Sequence, residues 1–209
     1  MSDPTRGSSI EDSGFCPECG NKIPCLTHQV EGSKETEGLQ ENLNIKGTGA
    51  LIGVEISGLP ESFESDGREW RKKSEFHVTM VGFATKLDKL CKEKFGLSNK
   101  DAKTKAGEIL QKATEGISFK VNLKDEFRTA ERGEDRTIIQ LCDIEGMEEY
   151  FQAIEAELET TIERPPAHVT LYTGENDQAI GLPTQAKFDE LTKPLEGSEL
   201  DEVISGMGK

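Results

Sequence analysis

The tripeptide His-Val-Thr occurs twice, at His77–Thr79 in "EFHVTMVGF" and at His168–Thr170 in "PAHVTLYTG", in a chain with only three histidines. Each copy lies in an apolar, β-branched run, and in a strand residues i and i+2 project from one face. His77 therefore points with Thr79 and His168 with Thr170, while each valine points the opposite way. Two imidazoles with ordinary pKa values near about 6.5 suit proton transfer close to neutrality, one neutral and accepting, one charged and donating. Hydroxyls beside them are suited to donate to the non-bridging oxygens of a phosphate, where charge builds as the bond breaks. The set fits phosphoester chemistry carried by protons alone, with no catalytic metal. One imidazole serves as general base and the other as general acid, and the sequence does not order them. His168 is taken as the base and His77 as the acid for hydrolysis, with the roles reversed for ligation, and a bell-shaped rate profile centred near neutrality is expected. Extending the alternation places Phe83 on the face of His77 and Tyr172 on that of His168, where an aromatic ring stacks on a base.

A second constellation lies near the N-terminus. Cys16-Pro-Glu-Cys19 and Cys25-Leu-Thr-His28 supply four ligands of the tetrahedral zinc type within thirteen residues, a spacing that fits a compact knuckle at 15–28 holding a structural zinc. Metal binding would supply the folding energy that so polar a segment lacks. Cys91 and Cys142 fall in apolar-periodic segments and read as small buried hydrophobes.

The elements that must position these groups alternate along the chain. Strands are expected around "TGALIGVEISG", "EFHVTMVGF" and "RPPAHVTLYTG", and "ISFKVNLKDEFRTA" with "RTIIQLCDI" reads as a hairpin turning at "ERGED". Helices are expected over "KLDKLCKEKFG", "SNKDAKTKAGEILQKATEG" and "GMEEYFQAIEAELETTI", the last with Met147, Phe151, Ile154 and Leu158 on one face. A short helix follows Thr184. Arg128, Arg132 and Arg136 flank the hairpin and read as solvated charges. Hairpins mixed with helices give an α+β class with an antiparallel or mixed sheet. The polar segment 1–47 reads as flexible outside the knuckle, 48–195 as the folded domain, and 196–209 as a flexible tail.

Composition narrows the partners. A net charge of −15 over 209 residues disfavours long nucleic acid, which is ordinarily held by a basic stripe. "REWRKK" (68–73) is the densest basic run, and reads as a solvated turn. A small phosphorylated nucleotide or an RNA end fits better. No run approaches the roughly 20 apolar residues of a membrane span, and the first residues do not read as a signal peptide. A cytoplasmic protein without membrane contact is the expectation.

The paired "HVTM" and "HVTLYT", separated by a hairpin and helices, resemble the 2H phosphoesterase superfamily, which includes bacterial 2′-5′ RNA ligase-like proteins and cyclic nucleotide phosphodiesterases. The resemblance covers about residues 48–195 and rests on these two motifs and the element order. It implies a bilobal, pseudo-twofold fold with two sheets around a central cleft, each contributing one His-x-Thr strand. It also implies metal-independent cleavage of 2′,3′-cyclic phosphates or 2′-5′ linkages, with His77, Thr79, His168 and Thr170 at the functional positions. Two other readings need no turnover: a module that binds nucleotides or RNA ends in the same cleft, and an interaction protein in which the zinc knuckle at 15–28 matters most.

Overall fold

A computed structural model describes residues 43–65, 67–82, 85–176 and 178–207. The elements run β1 (Leu43–Lys46), β2 (Gly49–Gly53), β3 (Ser62–Ser65), β4 (Arg68–Lys72), β5 (His77–Val81), α1 (Leu87–Phe95), α2 (Asn99–Lys112), β6 (Lys120–Arg132), β7 (Asp135–Glu145), α3 (Met147–Leu158), β8 (His168–Thr173), α4 (Gln185–Leu191), β9 (Thr192–Pro194) and α5 (Gly197–Gly206). The class is α+β, as expected. All described strands join one open antiparallel sheet with the main order β1-β2-β5-β8-β7-β6-β9, and β3 and β4 pair beside it. The two sheets expected from the resemblance are thus one hydrogen-bonded network, because β8 pairs along the same edge with both β4 and β5.

Local chemistry accounts for the element ends. Ser98 caps α2, its hydroxyl accepting from the Asp101 N–H and donating to the Asp101 carboxylate at 2.7 Å, so that one side chain and one acidic partner close the first turn. Thr184 caps α4, accepting from the Lys187 N–H at 3.2 Å. The long β6–β7 hairpin turns at Gly133, whose φ of +64° is open to glycine at little strain.

Three apolar clusters hold the sheet. Helices α1, α2 and α3 cover the β1-β2-β5 end through Leu87, Cys91, Ala106, Leu110, Phe151 and Ile154. A second cluster gathers Trp70, Val78, Val169, Leu171 and Tyr172 under α5. A third sets Phe188 of α4 against Ala130, Ile139, Ile180 and Leu182.

Three expectations are corrected. The segment 1–47 was to be flexible to its end, yet β1 forms inside it, because Leu43 and Ile45 alternate onto the first cluster. The tail 196–209 carries α5, whose Leu200, Val203 and Ile204, continued by Met207 just past its end, recur at helical spacing and face the second cluster. Glu199 of that helix accepts from the Trp70 indole N–H at 3.0 Å. "REWRKK" is no solvated turn but strand β4, anchored by Trp70 at 1 % exposure.

Candidate active site

The two His-x-Thr tripeptides begin adjacent strands. β5 and β8 are antiparallel, and Val78 lies opposite Val169. Both valines are fully buried. Residues opposed in an antiparallel pair share a face, so the flanking His77, Thr79, His168 and Thr170 all project from the other side of the sheet. Antiparallel pairing relates the two strands by a local twofold axis through the valine pair. The same order then reads outward in both directions, β5-β2-β1 and β8-β7-β6.

Each of these strands bulges at the residue after its threonine. Against β2, Leu51 faces Thr79 and Ala50 faces Val81, which leaves Met80 as the extra residue. Against β7, Ile139 faces Thr170 and Ile138 faces Tyr172, which leaves Leu171. A bulge places an additional residue on one strand and breaks the alternation beyond it. Met80 with Val81, and Leu171 with Tyr172, therefore both turn into the core.

This corrects the role expected of Tyr172. Its ring is fully buried, meets Phe63 edge-on at 5.0 Å between centroids, and its hydroxyl donates to the Pro60 carbonyl at 3.1 Å. Burial pushes its phenol up to about 12. Tyr172 cannot stack on a ligand. Phe83 lies outside the described residues, and so do Cys16, Cys19, Cys25 and His28 of the expected zinc site.

His77, Thr79, His168 and Thr170 line one pocket of about 360 Å³. The apolar run Ala179–Pro183 forms another part of its wall, together with Pro165. The wall is fixed from behind: Ile180 and Leu182 are buried in the third cluster, and the Ile180 N–H donates to Thr137 Oγ1 at 3.3 Å. Nothing in the periodicity of "NDQAIGLPT" announces this wall, since its apolar residues are too few to show a repeat. Thr85 adds a third hydroxyl residue to the lining.

The imidazoles differ in surroundings. His168 is half-buried, and its Nδ1 lies 2.7 Å from the Pro166 carbonyl oxygen. A carbonyl only accepts, so Nδ1 carries the proton and Nε2 is left as the acceptor of the neutral ring. Burial lowers the His168 pKa below its ordinary value; the Pro166 bond opposes the shift, and the charge of His77 adds to it. His77 is more exposed. Desolvation lowers its pKa, the Glu75 carboxylate opposes, and Lys73 and Lys46 reinforce. The coupling of the two rings places them within electrostatic reach of each other. The orienting Pro166 was foreshadowed only by "RPPAH", where the second proline sits two residues before the histidine.

The other titratable groups singled out from sequence take structural places. Cys91 and Cys142 are buried free thiols, with Cys142 pushed up to about 12 by desolvation. Arg136, expected in solvent, is buried; its guanidinium stacks 4.6 Å from the Trp70 ring and donates to the Glu69 carbonyl at 3.0 Å. Among the described residues, no helix is long and apolar enough to cross a membrane.

Compared with protein-family models, with curated proteins and with solved structures, the chain matches none.

Proposed function

We propose that this chain is a phosphodiesterase of the 2H type, acting on 2′,3′-cyclic phosphates or 2′-5′ linkages of nucleotides or RNA ends. The observation that carries the reading is the convergence of two His-x-Thr faces in one pocket across a local twofold axis. The repeated strand order about the valine pair supports the pseudo-twofold architecture that the resemblance implies, with each half supplying one imidazole and one hydroxyl.

The chemistry follows from the two ring environments. His168, held neutral with Nε2 unprotonated, takes a proton from water as the oxygen attacks phosphorus. His77, the more exposed ring, carries the proton that passes to the leaving ribose oxygen as the P–O bond breaks. The proton gained at His168 and the one lost from His77 balance, and solvent resets both. Thr79 and Thr170 donate to the non-bridging oxygens, whose charge rises in the transition state. The apolar wall at Ile180–Pro183 receives the ribose or base and keeps water away from the reacting phosphate.

The test is turnover of a panel of 2′,3′-cyclic nucleotides and 2′-5′-linked oligonucleotides, with and without EDTA. Wild type should be active with or without EDTA, and His77→Ala and His168→Ala should each lose about 100-fold or more in turnover while remaining folded. Absence of turnover on every substrate, or single variants that retain full rate, would overturn the reading. Binding without turnover would leave a nucleotide-end binding module in its place.

A further inference from the structure

A second depression, of about 790 Å³, opens on the other side of His77, which lines both it and the catalytic pocket. Its lining combines the apolar side chains of Leu51, Val54, Ile56 and Phe76 with Lys46, Lys72 and Lys73, Asn44, Ser57 and Ser74. The depression exists because the backbone loops out there. The Lys73 N–H donates to the Leu171 carbonyl and Val78 faces Val169, so five steps of chain from the end of β4 into β5 span two on β8. The surplus residues, Ser74 to Phe76, leave the sheet edge and form the side of the groove.

The local charge runs against that of the whole chain. Three lysines line the groove against the carboxylates of Glu55 and Glu75, in a protein of net charge −15. Lys72 is also bonded to Glu61. Lys46 and Lys73 both act electrostatically on the His77 ring, so an anion between them would sit next to the leaving-group side of the reaction. A lining that joins apolar and aromatic side chains to lysines suits a base packed on the apolar groups with its phosphate at the lysines.

We propose that this groove holds the adjoining nucleotide of an oligonucleotide substrate, its base on the Phe76 side and its phosphodiester at Lys46 and Lys73. The inference rests on the phosphodiesterase reading and adds the substrate class: an RNA end at least two nucleotides long, in preference to a free mononucleotide. The net charge of −15 agrees with contact to a short end and not to a long polyanion.

The experiment compares kcat/KM for a 2′,3′-cyclic mononucleotide and for a tetranucleotide ending in the same cyclic phosphate. Wild type should favour the tetranucleotide by about tenfold or more, the order of one stacked base and one charge contact. The preference should shrink as salt rises. In Lys46→Ala/Lys73→Ala and in Phe76→Ala, the ratio of the two kcat/KM values should fall towards one. The ratio is the readout because both lysines also bear on His77, an effect common to the two substrates. Equal kcat/KM values in wild type, or a preference that survives both variants, would overturn the subsite and leave the catalytic reading standing. Anisotropy with a labelled, 3′-phosphorylated tetranucleotide separates the two failures. Lysine-dependent binding with no turnover would remove the hydrolase and keep the subsite, whereas binding that ignores the lysines would remove the subsite.

Discussion

Val78 and Val169 face each other across β5 and β8, and that contact sets the spacing of His77 and His168, each of which precedes its valine by one residue. Both side chains are fully buried. Val169→Ala should lower stability by about 2 kcal/mol, from two buried methyl groups and the space they leave. Denaturant unfolding should show a reduced midpoint at unchanged slope. If the pair also spaces the catalytic faces, kcat should fall below the loss accounted for by the unfolded fraction.

The pH dependence follows from the direction of both shifts. Ordinary histidines would centre activity near neutrality, but His168 and His77 are each held below the usual value of 6.5. On the proposed mechanism, kcat/KM should fall on the acid side as His168 gains a proton, and on the alkaline side as His77 loses one. With both pKa values lowered, the maximum lies on the acid side of 6.5. Glu75 favours the charged His77 ring, so Glu75→Gln should move the alkaline limb to still lower pH and leave the acid limb in place. A maximum above neutrality, or an alkaline limb that moves upward in Glu75→Gln, would contradict the assignment of His77 as the acid.

Tyr172 is a case where sequence and structure part. Its hydroxyl makes a single bond to the Pro60 carbonyl, and its ring faces Phe63. Tyr172→Phe should therefore cost about 1 kcal/mol of stability at most, with KM unchanged. A marked rise in KM with intact stability would return the residue to the ligand.

The strand phase that brings His77 to Thr79 and His168 to Thr170 was legible because two-residue alternation needs no information beyond the residues themselves. It stopped being legible at Met80 and Leu171, since a bulge is set by the partner strand, and β2 and β7 lie far off in sequence. The same limit hid the pocket wall at Ile180 and Leu182, which is buried against Phe188 and Ala130 and has no periodicity of its own. β4 was obscured for another reason: in "REWRKK" five charged residues flank the tryptophan, and only the fold shows that Trp70 goes in while Lys72 and Lys73 go to the groove. Helix α5 carries an apolar stripe at Leu200, Val203 and Ile204, continued by Met207 just past its end, which its acidic and glycine residues dilute in the sequence.

The docking of α5 depends on two glycines whose backbones nearly touch. Gly58 has φ +84°, and a Cβ added there would lie 2.2 Å from the Gly206 carbonyl oxygen. Gly58→Ala thus combines an unfavourable backbone conformation with a clash against another backbone, and should destabilise by roughly 2 kcal/mol or more. Gly67 supplies the control: its φ is +69°, but an added Cβ meets nothing within 4 Å. Gly67→Ala should therefore show the conformational penalty alone, about 1 kcal/mol. Trp70 is the only tryptophan and is capped by Glu199 of α5, so its fluorescence reports on the helix directly. Release of α5 in Gly58→Ala should shift the emission to the red before global unfolding, and Gly67→Ala should leave it unshifted. Identical emission and equal stability in the two variants would mean that the close approach of Gly58 to Gly206 does not hold the helix in place.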